Sequence, residues 1–228
     1  MTMDDSCGYS DRYEDALRLA ARVHRDQLRK GSDVPYITHP LHVSLILLRH
    51  GFSTDVAIAG LLHDVVEDQG YSLARIAEQF GTHVAEIVGA LTERKTDEEG
   101  NKRPWETRKR EGLEHLQTAS LETVAVKAAD TLHNVRCIAL DLRREGPQVW
   151  QRFSRDRATS LDYFGQVVRL VRERMGGHPL ANELADAVDD LARLCPDHCG
   201  KVIRPVQRGV EIEQRLGDDL HRPAMRQK

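Results

Sequence analysis

His63, Asp64, Glu67 and Asp68 crowd four ionisable groups into the apolar run Leu61-Leu62-His63-Asp64-Val65-Val66-Glu67-Asp68. Charges buried without partners cost on the order of several kcal/mol each, so something must compensate them. At helical spacing His63 and Glu67 lie one turn apart, as do Asp64 and Asp68, which presents nitrogen and oxygen donors on adjoining faces. A divalent metal ion fits that pattern. Its remaining ligands must come from other segments with an equally out-of-place polar group. The candidates are His39, in Tyr36-Ile37-Thr38-His39-Pro40, and Asp130, in Val126-Lys127-Ala128-Ala129-Asp130-Thr131-Leu132-His133-Asn134. For His39 alone, a packing histidine with satisfied nitrogens would be the simpler account. The adjacent His-Asp pair with two further acids in one helix is what favours a metal. His24, His42, His50, His83, His115 and His178 lack such company and are expected to be surface or packing residues.

Helical spacing dominates the elements that must position these groups, and no stretch alternates long enough to argue a sheet, so an all-α fold is expected. A first helix runs from Asp11 to about Leu28, with Tyr13, Leu17, Ala20, Ala21 and His24 on one face. A second starts at Thr38, an N-cap candidate with Pro40 in the first turn, and runs to about His50. The third, Asp55 to Asp68, is capped by Ser53 or Thr54 and apolar almost all round, which predicts a central buried helix. Two short helices follow, Ser72 to Phe80 and Thr82 to Leu91. The charged stretch from Glu93 to Arg110, with Gly100 and Pro104, predicts a mobile loop that gates a site, before a helix around Trp105 to Thr118. Long helices are expected over Leu121 to about Arg143 and Val149 to Met175, then a last one over Leu180 to Leu194.

With 228 residues, 33 Lys and Arg against 36 Asp and Glu, and a net charge of −3, the composition excludes the bulk basic surface of a nucleic-acid binder. The longest apolar run, Val43 to Leu48 interrupted by Ser44, is too short for a membrane span. The start, MTMDDSCGYS, lacks the basic and apolar stretches of a secretory signal, so a cytoplasmic protein is expected. Cys7, Cys137, Cys195 and Cys199 suggest no disulfide framework. Cys195-Pro-Asp-His-Cys199 is expected to hold free thiols in a polar tail, because a structural zinc site usually draws four ligands from two separated pairs. The expected organisation is one domain over 1–195, its core about 11–176, and a polar, partly disordered tail over 196–228. Nothing in the chain sets an oligomeric state.

A histidine, a later His-Asp pair and a distant Asp resemble the HD-domain metal-dependent phosphohydrolases, an all-helical superfamily. More closely, three blocks resemble the hydrolase domain of the RelA/SpoT enzymes and the stand-alone small alarmone hydrolases. They are Arg29-Lys30 with Pro35-Tyr36-Ile37-Thr38-His39-Pro40, then residues 59–68, then Lys127 to Asn134. The resemblance spans roughly Tyr13 to Tyr163. It implies an HD-domain helical bundle that removes the 3′-pyrophosphate from guanosine tetra- and pentaphosphate. It also implies that His39, His63, Asp64 and Asp130 hold one metal, typically manganese, and that Glu67 and Asp68 work on the attacking water. Arg29, Lys30, Asn134 and Tyr163 fall on substrate-binding positions. Thr159, where some relatives carry Arg, and the stretch from Glu93 to Arg110 depart from the pattern, leaving two alternatives. One is a phosphohydrolase for another nucleotide, such as a nicotinamide dinucleotide 2′-phosphate or a deoxynucleotide. The other is a non-catalytic nucleotide-binding module, which would need neither Glu67 nor Asp68.

Overall fold

The structure is a computed structural model, and it describes residues 10–195. Within them the chain forms the helices α1 (Asp11–Val23), α2 (Thr38–Arg49), α3 (Thr54–Leu62), α4 (Val65–Gln69), α5 (Leu73–Phe80), α6 (Thr82–Leu91), α7 (Trp105–Leu116), α8 (Leu121–Glu145), α9 (Arg157–Met175) and α10 (Pro179–Arg193). Among the described residues there is no strand, only the isolated bridges Leu28↔Pro35 and Thr96↔Lys102, so the all-α expectation holds. No helix of the described residues is long and apolar enough to cross a membrane.

The centre of the fold is α3. Every residue from Val56 to Leu62 is buried, because a helix apolar on all sides has no face to offer water. It packs against α1, α2, α6 and α8, and α2 comes closest at Gly60. A Cβ there would sit 2.7 Å from Leu47 Cδ1. Truncating a core leucine such as Leu61 to Ala should cost about 2–5 kcal/mol. Ser53 caps α3, Ser120 caps α8 and Asp156 caps α9, each through its side-chain oxygen. Arg174 of α9 donates to the carbonyls of Leu116, at the end of α7, and of Gln117 and Ala119 just after it, fixing α7 to α9.

Several boundaries differ from expectation, each for a local reason. The first helix stops at Val23, and residues 24–37 form a tight loop in which Tyr36 N donates to Gln27 O and Arg29 N to Val34 O. The buried face of α1 is Tyr13, Ala16, Leu19 and Ala20, while Ala21 faces outward. Thr38 does not cap α2. Ile37 holds that position in helical geometry, and the Thr38 hydroxyl donates to Pro35 O instead. The expected single helix over 55–68 breaks at His63 and Asp64 into α3 and α4. The Val149 to Met175 helix is likewise a short 3-10 turn, Pro147–Arg152, followed by α9, because Asp156 starts a new helix. Leu121, the first residue of α8, is exposed. The stretch from 93 to 104 is tied back by the ion pairs of Glu93 with Arg108 and Lys109 and of Arg103 with Glu111. Cys195 is buried rather than part of a polar tail. Cys7, Cys199 and the expected disordered tail lie outside the described residues.

Candidate active site

Three elements converge on one buried point. The first turn of α2 brings His39, the break between α3 and α4 brings His63 and Asp64, and the middle of α8 brings Asp130. One donor atom each from His39, His63 and Asp130 lie within 4.8 Å of one another. Asp64 flanks this trio, its Oδ2 standing 3.0 Å from His63 Nε2 and 3.7 Å from His39 Nε2. The Tyr36 hydroxyl donates to the same oxygen at 2.5 Å. His63 Nδ1 is 2.8 Å from Gly60 O, so that nitrogen carries the proton and Nε2 presents a lone pair. That Nε2 is buried and makes no hydrogen bond, although Asp64 is close. An orphaned imidazole nitrogen between carboxylate oxygens suits a divalent cation, since the donor set mixes nitrogen and hard oxygen.

The carboxylates gather negative charge on this point. Burial favours the neutral form of His63, but the charges of Asp64 and Asp130 overcome it and push its pKa up to about 9, so a cation binding here would displace the Nε2 proton. Burial alone would likewise raise Asp64 and Asp130. The neighbouring His63 holds the first well below the usual carboxylate range, and Lys127 with His39 does so for the second. His39 moves the other way, lowered chiefly by burial. The Tyr36 hydroxyl, raised by burial and by Asp64, stays a donor. Asp130 is held from both sides: Lys127 Nζ donates to Oδ2 at 2.9 Å and Asn134 Nδ2 to Oδ1 at 2.7 Å.

Glu67 and Asp68 sit on α4 and line the same small pocket of about 200 Å³. Lys95 Nζ joins them, 2.7 Å from Asp68 Oδ1 and 3.3 Å from Glu67 Oε1. Gln27 Nε2 donates to the other Asp68 oxygen at 2.9 Å, and the Glu93 amide donates to Glu67 Oε2 at 3.2 Å. Burial, with the charge of nearby Glu93, raises the Glu67 pKa.

A second cavity of about 750 Å³ adjoins the first, and Tyr36, Lys109 and Asn134 line both. The structure places Arg29, Lys30 and Tyr163 in this larger space. Arg29 donates to Asn134 Oδ1 at 3.0 Å, while Lys30 lies over the Phe153 ring. Tyr163 meets Trp105 edge to face, with Lys109 and Lys127 both near its ring. All ten residues singled out in the sequence therefore line one of these two joined spaces.

Sequence reasoning gave no role to Tyr36, Lys95, Lys127 or His133, although three of them stand inside the quoted motifs. His133 shared a signal with Asn134, since both lie one helical turn past Asp130. Glu93 and Lys95 were hidden in a charge-rich stretch where every residue looks like a solvated loop.

Comparison with known proteins gives the same outline. Residues 16–159 match the HD domain family. A Xenopus tropicalis protein, guanosine-3′,5′-bis(diphosphate) 3′-pyrophosphohydrolase MESH1, is 40% identical over 139 residues, 60% of this chain and 72% of the relative. A probable GTP pyrophosphokinase of Mycobacterium leprae is 38% identical over 124 residues, 53% of this chain but only 15% of that protein. A solved structure described as a metazoan ortholog of SpoT that hydrolyzes ppGpp superposes with a TM-score of 0.63 and 28% identity, covering 79% of this chain and 96% of the other. By its matched residues, its helical core and the His-Asp centre within it, the chain belongs to the HD domain family.

Proposed function

We propose that this protein is a manganese-dependent hydrolase that removes the 3′-pyrophosphate of guanosine 3′,5′-bis(diphosphate) or its pentaphosphate analogue. The observation that carries the reading is the joining of two unlike spaces through Tyr36, Lys109 and Asn134. One is small, polar and ready for a cation. The other is large enough for a nucleotide. Relatives that match over most of their own length are named for this activity.

In this reading His39, His63 and Asp130, with Asp64 beside them, hold the metal. Bound there, it would supply a water of lowered pKa and polarise a phosphoryl oxygen. Glu67, whose pKa burial raises so that it takes up a proton more readily than an exposed carboxylate, accepts the proton of the attacking water. Asp68, aligned by Lys95 and Gln27, orients that water. The new bond joins the water oxygen to the phosphorus attached at the 3′-oxygen. The bond between that phosphorus and the 3′-oxygen breaks, and the proton passes to the leaving 3′-oxygen. The products are guanosine 5′-diphosphate and intact pyrophosphate. Lys109 and Lys127 line the small pocket, where they offset the charge of the phosphoryl oxygens under attack and of the leaving 3′-oxygen. Arg29 and Lys30 line only the larger cavity, so they hold the 5′-phosphates, while Tyr163 and Asn134 flank the nucleoside.

A small nucleotide panel tests the reading, run after chelation and again with manganese restored. Pyrophosphate from guanosine 3′,5′-bis(diphosphate), released only with metal, is the expected result. Its absence, while NADPH or a deoxynucleotide is hydrolysed, overturns the substrate and keeps the general phosphohydrolase. No turnover of any nucleotide, with tight binding retained, supports the non-catalytic module instead.

A further inference from the structure

His133 is absent from the small pocket, yet it touches the metal centre from behind. Its Nδ1 lies 2.8 Å from Nδ1 of His39, and both rings are more than nine-tenths buried. Two imidazole nitrogens at that distance share one proton, so one donates and the other accepts. The far nitrogen of His39, Nε2, is the one that faces Asp130, Asp64 and His63. To bind a cation it must present a lone pair, which leaves the His39 proton on Nδ1. His133 Nδ1 is then the acceptor, and the His133 proton stands on Nε2. That nitrogen points toward Cys137 Sγ at 3.5 Å, in the wall of the larger cavity, where His42 stacks on the His133 ring at 15°.

We propose that His133 is a positioning residue that fixes the tautomer and aim of the metal ligand His39 and, through the same proton order, presents an Nε2 donor to the nucleotide cavity. The inference rests on the metal assignment above but not on the identity of the substrate. His133 sits on α8 three residues past Asp130, whereas His39 opens α2. The contact therefore couples the two helices that supply ligands, and a backbone carbonyl or water in its place would not bind them together. Outer partners of this kind orient the ring and raise its basicity, and their loss typically weakens metal binding about 10–100-fold.

The test reads the metal directly, not turnover. Manganese titration of the chelated protein, followed by electron paramagnetic resonance, should show a dissociation constant roughly 10–100-fold weaker in His133→Phe than in wild type. His133→Asn, whose side-chain carbonyl can accept from His39 Nδ1, should recover most of that loss. Equal affinity in wild type and His133→Phe overturns the inference while leaving the metal site standing. No manganese uptake by the wild type removes the metal assignment and the inference together. Should His133→Phe fail to fold, ring-nitrogen NMR of the zinc-loaded wild type still decides. A protonated Nε2 and bare Nδ1 on His133 support the proposal, and the opposite tautomer refutes it.

Discussion

The two joined cavities are built in opposite ways. In the metal pocket the ligands come from α2, the α3–α4 break and α8, elements packed on the central helix, and nearly every polar atom has a fixed partner. The larger cavity shares α8 as one wall, but its other walls are the 24–37 loop, residues 152–155, α7 and α9, with cations and aromatic rings facing open space. A reacting group needs to be held to a fraction of an ångström, so its supports are rigid and buried. Nucleotide recognition tolerates looser walls, because charge and ring stacking act over longer distances. Substitutions in the first region should therefore act on metal content and kcat, and those in the second on KM.

The largest effect is expected from His63→Ala, which should abolish metal uptake and turnover together and lower the thermal midpoint of the metal-loaded protein. Full metal occupancy in that variant, measured by elemental analysis, would break the comparison at its root. Glu67→Gln comes next. It should keep the metal and lose kcat by about 10²–10⁴-fold, the scale of a missing acid–base group. A wild-type kcat would mean that another group takes the proton.

Arg29→Ala probes the other region and should raise KM about 10–100-fold, the value of one or two hydrogen bonds to a charged group, with little change in metal affinity. A fall in kcat with KM unchanged would instead place Arg29 beside the reacting bond. The smallest effect on activity is expected at Glu183, remote from both cavities, where Arg49, His50 and Arg136 of α2 and α8 meet α10. Burial works against its ionisation, but hydrogen bonds with Arg49 and His50 and the charge of Arg136 hold its pKa down to about 2. A depressed carboxylate stabilises the fold above its unfolded value of about 4.3 and loses that contribution as the pH falls toward 2. Glu183→Gln should keep full activity and show a flatter loss of stability across that window in acid unfolding. An unchanged acid limb would show that the clamp contributes nothing.

How much of this the sequence disclosed follows the same division. His63, Asp64, Glu67 and Asp68 stood out because charge inside an apolar helix is costly, and His39 and Asp130 because each interrupts a packing face. The helix break at His63 was not legible. Leu62-His63-Asp64-Val65 holds no glycine or proline to mark a break, and His63 and Asp64 keep right-handed helical backbone angles through it. Glu93, Lys95 and Lys109 were obscured for the reverse reason. They lie among many charged residues, and only the fold shows which of those charges turn inward. The pairing of His133 with His39 joins residues 94 positions apart, a contact that neither helix declares alone.

The most direct test of the central account follows one oxygen atom. Hydrolysis of guanosine 3′,5′-bis(diphosphate) in ¹⁸O-enriched water, with manganese present, can be read by ³¹P NMR of the products. If the joined pockets act as proposed, one ¹⁸O appears in pyrophosphate and none in guanosine 5′-diphosphate. Label in inorganic phosphate, or in the 3′-hydroxyl of the nucleoside by mass spectrometry, would contradict that account, because the water would have attacked a different atom from the one that Glu67 and the metal centre are placed to reach.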